Sequence, residues 1–340
     1  MFLLDSHCDT PSQILRLRDL AVDDEYAHVD FPKLRRGGVD GAFFALYTPA
    51  SLSEVESYVH ASRLLNGVRR VLKFHNDKAR LATCRNEAYA NKAEGLFSVF
   101  LGLENGAAIG SQLDRLYEFY DAGVRYVTLC HSRDNQICDS CAQGSRWHGL
   151  SPFGKELVRH MNRMGMLVDV SHISDLSFYD VLDASSRPVV ATHSCCRALA
   201  DHPRNMTDDM IRELAAAGGV IQINFYPLFL DGGFKAVLES SGIMEEGERI
   251  EAEFIEDPAS STKRAAWNRI QDQLKALARP SFTRIADHID HAVSLVGIDH
   301  VGIGSDFDGI EVTPQGMENI SMMPRLFDEL RSRGYNESDL

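Results

Sequence analysis

The sequence of 340 residues has no long hydrophobic run and no excess of basic residues. A membrane-spanning helix needs ~20 consecutive apolar residues, and no segment of the chain approaches that length. The chain has 35 Lys and Arg residues against 49 Asp and Glu residues, a formal net charge of -14, without a basic cluster. An acidic chain of this kind is unsuited to binding a phosphate backbone. These absences argue against both membrane and nucleic-acid partners.

A secretory leader is also missing from the sequence as it stands. The opening MFLL runs straight into DSH, without the basic lead-in and apolar stretch of a signal peptide. The seven cysteines are an odd number scattered along a long chain, which fits a reducing compartment better than a disulfide framework. We therefore expect a cytoplasmic protein.

What the sequence does contain is an alternation of apolar runs and amphipathic stretches. The stretch SPFGKELVRHMNRMG predicts a helix with Ser151 as N-cap and Pro152 at the first helical position. Near-continuous apolar strands that alternate with helices indicate a parallel sheet covered by helices, and eight such units predict a closed (β/α)₈ TIM barrel. The eight runs are 2–9, 40–48, 95–104, 124–131, 165–172, 187–194, 219–226 and 300–309.

The alternation fails once, between the seventh and eighth runs. From Tyr226 to Phe282 the sequence has no strand pattern, only a Gly/Glu-rich stretch and a helical run. We interpret residues 227–281 as an insertion at the catalytic end of the seventh strand, where lids commonly arise. Without a convincing linker or an internal repeat, residues 1–340 are predicted to form a single barrel domain.

The stretch DSHCDTP, residues 5–11, places two metal-binding side chains at the end of the first run. In an extended strand His7 and Asp9 point to the same face, and Pro11 ends the strand. Barrel enzymes build their active sites at the C-terminal ends of the strands. Six of the eight runs end in a residue that can bind a metal or move a proton: His7 and Asp9, Glu104, His131, His172, His193 and Asp306.

The ligand types favour a borderline divalent cation. Imidazoles and carboxylates without a set of thiolates suit Zn²⁺ and also accept Mn²⁺ or Co²⁺. The candidates outnumber the three protein ligands of one catalytic zinc, so they predict two ions about 3.5–4 Å apart. Glu104 is the natural bridge, because its carboxylate has two oxygens to share. A hydroxide between the ions would be the nucleophile, and Asp306 would accept its proton.

Each of these residues also has an ordinary structural interpretation. A single His at a strand end is more often a satisfied structural residue than a ligand, and Glu104 alone could cap a helix. Their convergence on one rim favours the metal site. His288 and His291 have the spacing of a ligand pair, but their segment has the pattern of a barrel helix. A structural zinc at Cys138 and Cys141 lacks a second spaced pair.

The chain resembles the renal or membrane dipeptidases, the zinc-dependent M19 peptidases of the amidohydrolase superfamily. The resemblance extends from residue 1 to about 337, and SPFGKELVRHMNRMGMLVDVSH is especially close to the family's pattern. The motifs occur in the family's order: HCD (7–9), GLEN (102–105), DVSH (169–172), His193-Ser194, HPRN (202–205) and GSDFDG (304–309).

The resemblance implies a role for each candidate residue. His7 and Asp9 would hold one zinc, His172 and His193 the other, and Glu104 would bridge them. His131 would bind the substrate carbonyl and stabilise the oxyanion, while Arg204 would hold the C-terminal carboxylate of the dipeptide. Asp306 would be the acid/base near the bridging water and the substrate amine. The expected activity is hydrolysis of dipeptides, with a D-residue as the C-terminal one.

Two departures from the family bear on these expectations. The membrane-anchored relatives carry a secretory signal and a lipid-anchor signal, whereas this chain resembles the soluble bacterial branch. Relatives also continue past RSRGYNESDL, which predicts that the natural protein extends beyond Leu340. A homodimer is compatible with the family. The alternative function is a related barrel hydrolase of N-acyl amino acids, lactones or phosphoesters, and a third is a non-enzymatic metal-dependent binding protein.

Overall fold

The computed structural model describes residues 1–142 and 145–340. Within them, nine strands pair in parallel in one sheet, and eight form the path β1-β2-β4-β5-β6-β7-β8-β9. All eight predicted strands are present, so the (β/α)₈ barrel is confirmed. The strands are β1 (Leu4–Cys8), β2 (Gly41–Tyr47), β3 (Ala79–Leu81), β4 (Phe97–Glu104), β5 (Val124–Thr128), β6 (Leu167–Asp169), β7 (Val190–Ser194), β8 (Val220–Ile223) and β9 (Val301–Ile303).

The barrel closes between β9 and β1 at the rim and not along a full ladder. Cys8 forms an isolated parallel bridge with Phe307. The Asp9 amide donates to the Phe307 carbonyl at 2.8 Å, and the Asp306 amide donates to the His7 carbonyl at 3.0 Å. The closure therefore holds the first and last site motifs side by side, although they lie at opposite ends of the chain.

The short strand β3 was missed by the sequence interpretation. It pairs with Phe97–Val99 at the start of β4, while β5 pairs with Leu101–Glu104 further along the same strand. With only three residues, one of them an exposed arginine, ARL has no apolar run that could signal a strand. It extends the sheet at the N-terminal end of β4, away from the site.

Helices cover the outside of the barrel. The prediction for α6 is confirmed, because the Ser151 hydroxyl accepts from the Gly154 amide at 2.9 Å and Pro152 opens the helix. The helices are α1 (Thr10–Leu15), α2 (Phe31–Gly37), α3 (Glu54–Phe74), α4 (Arg85–Ala93), α5 (Leu113–Asp121), α6 (Pro152–Met164), α7 (Asp175–Ala184), α8 (Asp208–Ala216), α9 (Pro227–Leu230), α10 (Phe234–Ser241), α11 (Ile243–Glu256), α12 (Ser261–Lys275), α13 (Thr283–Val296) and α14 (Met323–Ser332).

Four of these helices, α9 to α12, fall within the segment interpreted as an insertion. Phe254, Trp267 and Ile270 belong to a small hydrophobic cluster of their own, separate from the main core of the barrel. The division into one domain with an insertion at 227–281 stays a prediction. None of the helices in the described part of the chain is both long and apolar enough to cross a bilayer.

Candidate metal centre

All the predicted ligands lie at the C-terminal rim of the barrel. His7 and His193 are within their strands, Glu104 is the last residue of β4, and Asp9 follows β1 directly. His131, His172 and Asp306 each come three residues after β5, β6 and β9. This placement follows from the parallel sheet, because the carboxyl ends of all its strands meet at one rim.

Glu104 occupies the centre of the group, and its two oxygens face different partners. Its Oε2 is 3.3 Å from His7 Nε2. Its Oε1 is 3.3 Å from His172 Nε2, 3.5 Å from His193 Nε2 and 3.7 Å from His131 Nε2. On the far side, His7 Nε2 is 3.3 Å from Asp9 Oδ2. One carboxylate therefore lies between two sets of potential ligands.

The arrangement fits a cation on physical grounds. His172 Nε2 and His193 Nε2 are only 2.9 Å apart. The buried atoms His7 Nε2 and Asp9 Oδ1 have no hydrogen-bond partner in the described part of the chain. Within the described residues, no Lys or Arg forms an ion pair within 4.0 Å of Asp9 or Glu104. Buried carboxylates and unpaired ring nitrogens are costly unless a proton or a metal ion compensates them, so the donor set suits divalent cations.

Hydroxyl groups below the rim orient two of the imidazoles. The Tyr126 hydroxyl is 2.8 Å from His7 Nδ1. The Thr192 hydroxyl is 2.8 Å from His193 Nδ1, and it donates to Asp169 Oδ2 at 2.7 Å. Partners of this kind fix the ring and leave Nε2 free toward a metal. Sequence reasoning missed Tyr126 and Thr192, because they belong to none of the motifs and become neighbours of the imidazoles only in the folded barrel.

The pKa values separate His7 from the other imidazoles. Burial by itself would lower the pKa of His7, but the carboxylates of Glu104 and Asp9 raise it well above its usual value. Burial, reinforced by Arg204 and the neighbouring imidazoles, lowers the pKa values of His172 and His193 well below their usual range. The last two are therefore neutral, as a histidine ligand must be.

Asp306 stands at the edge of the group. Its Oδ1 is 4.0 Å from His7 Nε2, and its Oδ2 accepts from the Asn224 amide at 2.9 Å. Burial raises the pKa of Asp306 to about 7, and Asp9 adds to the rise while His7 opposes it. A carboxyl group with a pKa near neutrality can both accept and return a proton.

His131 and Arg204 lie on the other side of Glu104. Burial, with the charges of Arg204 and His7, lowers the pKa of His131 to about 3. The Arg204 guanidinium donates to Ser194 Oγ at 2.8 Å and to the His193 carbonyl at 2.6 Å. Its Nε is buried and has no hydrogen-bond partner within residues 1–142 and 145–340. The guanidinium is therefore fixed close to the imidazoles.

Unusual backbone conformations mark the same rim. His172 and Asp306 have φ angles of 70° and 62°. Non-glycine residues seldom adopt this left-handed region, and such strain concentrates at functional sites. Gly309 has a related role, because a Cβ there would come within 2.2 Å of Asp9 Oδ2. The glycine of GSDFDG thus lets the backbone approach the carboxylates.

The weaker candidates are not part of this centre. In the described residues, the groups that could hold a metal contain no cysteine, so Cys138 and Cys141 do not add to them. His288 is fully buried in α13, where its Nδ1 accepts from the Cys196 amide at 3.0 Å. Its Nε2 is 3.0 Å from the Leu230 carbonyl. His288 is therefore a satisfied structural residue, as its helix pattern indicated.

Comparisons with known proteins identify the family of the chain. The uncharacterized dipeptidase C3A11.10c of Schizosaccharomyces pombe is 29% identical over 99% of this chain and 77% of its own length. The crystal structure of the dipeptidase AC, a metallopeptidase of family M19, matches with a TM-score of 0.81 and 25% identity, covering 100% of this chain and 94% of the other.

A further structure shares the fold. It is a metallopeptidase from Rhodobacter sphaeroides, liganded with a phosphinate mimic of the dipeptide L-Ala-D-Ala. It has a TM-score of 0.81 and 24% identity, and covers 100% of this chain and 95% of the other. The model of the family described as membrane dipeptidase, peptidase family M19, matches residues 1–340. The chain therefore belongs to peptidase family M19 and is a metallodipeptidase of that family.

Proposed function

We propose that the protein hydrolyses dipeptides at a binuclear zinc centre. His7 and Asp9 would hold one ion, His172 and His193 the other, and Glu104 would bridge the two. The observation that carries this proposal is the position of Glu104, whose Oε2 faces His7 while Oε1 faces His172 and His193. Mn²⁺ or Co²⁺ could replace zinc, since the ligands are imidazoles and carboxylates.

Two divalent ions, when bound, lower the pKa of a water and polarise the scissile carbonyl. The chain's own residues supply the rest. His131, half-buried beside Glu104, donates to the carbonyl oxygen as charge develops there. Asp306 takes the proton of the attacking water and returns it to the leaving amine. Asn224 holds the Asp306 carboxylate in place through a hydrogen bond of 2.9 Å.

Arg204 would fix the length of the substrate. A guanidinium binds a carboxylate in a bidentate fashion, so Arg204 would hold the C-terminal carboxylate at a set distance from the scissile bond. We also propose a D-residue at that end. Support comes from the Rhodobacter sphaeroides structure, whose bound phosphinate mimics L-Ala-D-Ala. The cytoplasmic location and the homodimer stay predictions.

The test combines metal analysis with turnover. Purified protein should contain two equivalents of a divalent metal, and reconstituted enzyme should cleave a panel of L,D- and L,L-dipeptides with the L,D members preferred. N-acyl amino acids, lactones and an aryl phosphoester serve as the competing substrates. Faster turnover of any of these than of every dipeptide would contradict the proposal, and a single bound ion would remove the bridging role of Glu104.

A further inference from the structure

The substrate cavity has a wall that the proposed mechanism does not use. The cavity lies above the candidate metal centre and has a volume of about 370 Å³, which is within the range of small-ligand sites. Its floor consists of centre residues, and its outer wall comes from α1, the loop after β9, and helices α11 and α12. The residues of this outer wall include Arg16, Glu251, Ile255, Trp267, Gln271 and Glu311.

Helical spacing explains why these side chains face the cavity. Glu251 and Ile255 are four residues apart on α11, and Trp267 and Gln271 are four residues apart on α12. Residues at i and i+4 share one face of a helix. Each of the two helices therefore presents one face of its surface to the substrate.

The wall contains an uncompensated carboxylate. Arg16 Nη2 pairs with Glu251 Oε1 at 2.6 Å, which neutralises Glu251. Within the described residues, no cation lies within 4.0 Å of Glu311, although Glu311 lines the same cavity and is half-buried. Burial raises the pKa of Glu311 to about 7, and the nearby Glu251 adds to the rise while Tyr226 opposes it. A cationic ligand would stabilise the ionised form of this carboxylate.

A second feature of the wall also points to a ligand. Gln271 lines the cavity, and its Oε1 is buried without a hydrogen-bond partner among the residues that the structure describes. A buried amide oxygen left unpaired is costly, and a donor from the substrate would satisfy it. Glu311 and the Gln271 oxygen are both acceptors, whereas ammonium and guanidinium groups carry donors only.

The position of Glu311 identifies the end of the substrate that it meets. Glu311 follows Asp306 by five residues in the loop after β9, and Asp306 contributes to the electrostatic environment of Glu311. If the substrate amine lies at Asp306, the side chain next to that amine is the one that extends toward Glu311. Trp267 lines the same wall and offers an apolar surface for an alkyl stem.

We propose that Glu311, with the Gln271 oxygen, forms a subsite for a cationic side chain on the N-terminal residue of the dipeptide. The enzyme therefore prefers lysyl and arginyl dipeptides. This inference rests on the proposed function, since the substrate amine at Asp306 sets the orientation of the dipeptide.

The test measures kcat/KM of the zinc-loaded enzyme on two matched pairs with a common C-terminal residue. One pair is lysyl against norleucyl, and the other is arginyl against citrullinyl. The native enzyme should favour the cationic member by about tenfold or more, the range of a hydrogen-bonded charge. Glu311→Gln should bring this ratio close to one, and Glu311→Asp should keep part of it. Glu248→Gln, at an exposed position of α11, should keep the native ratio.

Two results would overturn the subsite. One is a native enzyme without a preference between the members of each pair. The other is a Glu311→Gln variant that lowers kcat/KM equally for cationic and neutral dipeptides, which would make Glu311 a structural residue. The failure of the proposed function looks different, because the metal-loaded enzyme would then turn over an N-acyl amino acid, a lactone or a phosphoester faster than every dipeptide.

Discussion

At the scale of single residues, the place of Glu104 is set by strand register. Glu104 pairs with Tyr47 of β2 on one side and with Thr128 of β5 on the other. It therefore ends a central strand of the path, with neighbours on both sides at the same height. A carboxylate there can reach candidate ligands from β1, β7 and the residues after β6. This register is the physical basis for the bridging role that we propose.

Tyr126 offers a test of how the His7 ring is oriented. Its hydroxyl is 2.8 Å from His7 Nδ1, and the residue is 1% exposed. Tyr126→Phe keeps the ring but leaves a buried Nδ1–H without an acceptor. Because partners of this kind sustain metal affinity, we expect a loss of about tenfold to a hundredfold in metal affinity. Competition with a chelator of known affinity measures this loss directly.

The matched control is Tyr89→Phe, which removes a hydroxyl from a residue that is 48% exposed and packs on Phe2. This variant should bind metal like the native protein. Equal metal affinity in all three proteins would show that the hydroxyl of Tyr126 does not orient the ligand. A Tyr126→Phe protein with native thermal stability and weaker metal binding separates orientation from packing.

Sequence reasoning named the candidate ligands but not the residues that orient them. The placement of His7 and Asp9 could be predicted, because the alternation of a strand and its C-terminal end follow from the local sequence pattern. The contact of Tyr126 with His7 could not be predicted in this way. β5 lies three positions from β1 along the sheet, and only the closed barrel brings Tyr126 to His7. The left-handed backbone conformation of His172 could not be predicted from the sequence either, since glycine is the residue that ordinarily indicates this conformation.

At the scale of elements, apolar runs located every strand of the barrel path. They failed only for β3, where three residues with an exposed Arg80 give no pattern. The segment 227–281 was recognised by the absence of a strand pattern. Such an absence does not predict how the helices of the segment pack. That α11 and α12 line the cavity depends on tertiary contacts of Glu251 and Gln271, and local sequence does not encode these.

His288 links three elements and gives a prediction on pH. It joins α13 to the turn at Cys196 and to the end of α9 at Leu230. Burial lowers its pKa to about 4, although the Leu230 carbonyl opposes this shift. The folded protein therefore binds fewer protons here than the unfolded chain. The stability that neutral His288 contributes is complete above about pH 6.5 and is lost as the pH falls toward 4.

The measurement compares unfolding free energy against pH for metal-free protein with and without His288→Gln. The variant should be less stable than the native protein at pH 7. The difference between their unfolding free energies should decrease by about 3 kcal/mol between pH 7 and pH 4. The unfolding free energy of the Tyr89→Phe control should change with pH in the same way as that of the native protein. A gap that stays constant over this range would mean that His288 is not held neutral by its surroundings.

At the scale of the whole molecule, the candidate ligands come from strands all round the barrel. The isolated bridge from Cys8 to Phe307 and a few hydrogen bonds join β1 to β9 and the residues that follow it. The same rim carries Asp9, Glu104 and Asp306, whose mutual repulsion opposes closure when no cation is present. Bound metal would therefore stabilise the barrel as a unit, because the unfolded chain cannot assemble these ligands.

Metal removal should accordingly lower the stability of the entire protein. An ion at a thousand times its Kd adds about 4 kcal/mol to the free energy of unfolding, so chelation should reduce Tm by several degrees. Adding back Zn²⁺ should restore the native value, which calorimetry follows without any substrate. Glu104→Gln should respond less to both treatments, since the amide weakens the shared ligand. If chelation left Tm unchanged in the native protein, the rim would be held by its own hydrogen bonds and not by ions.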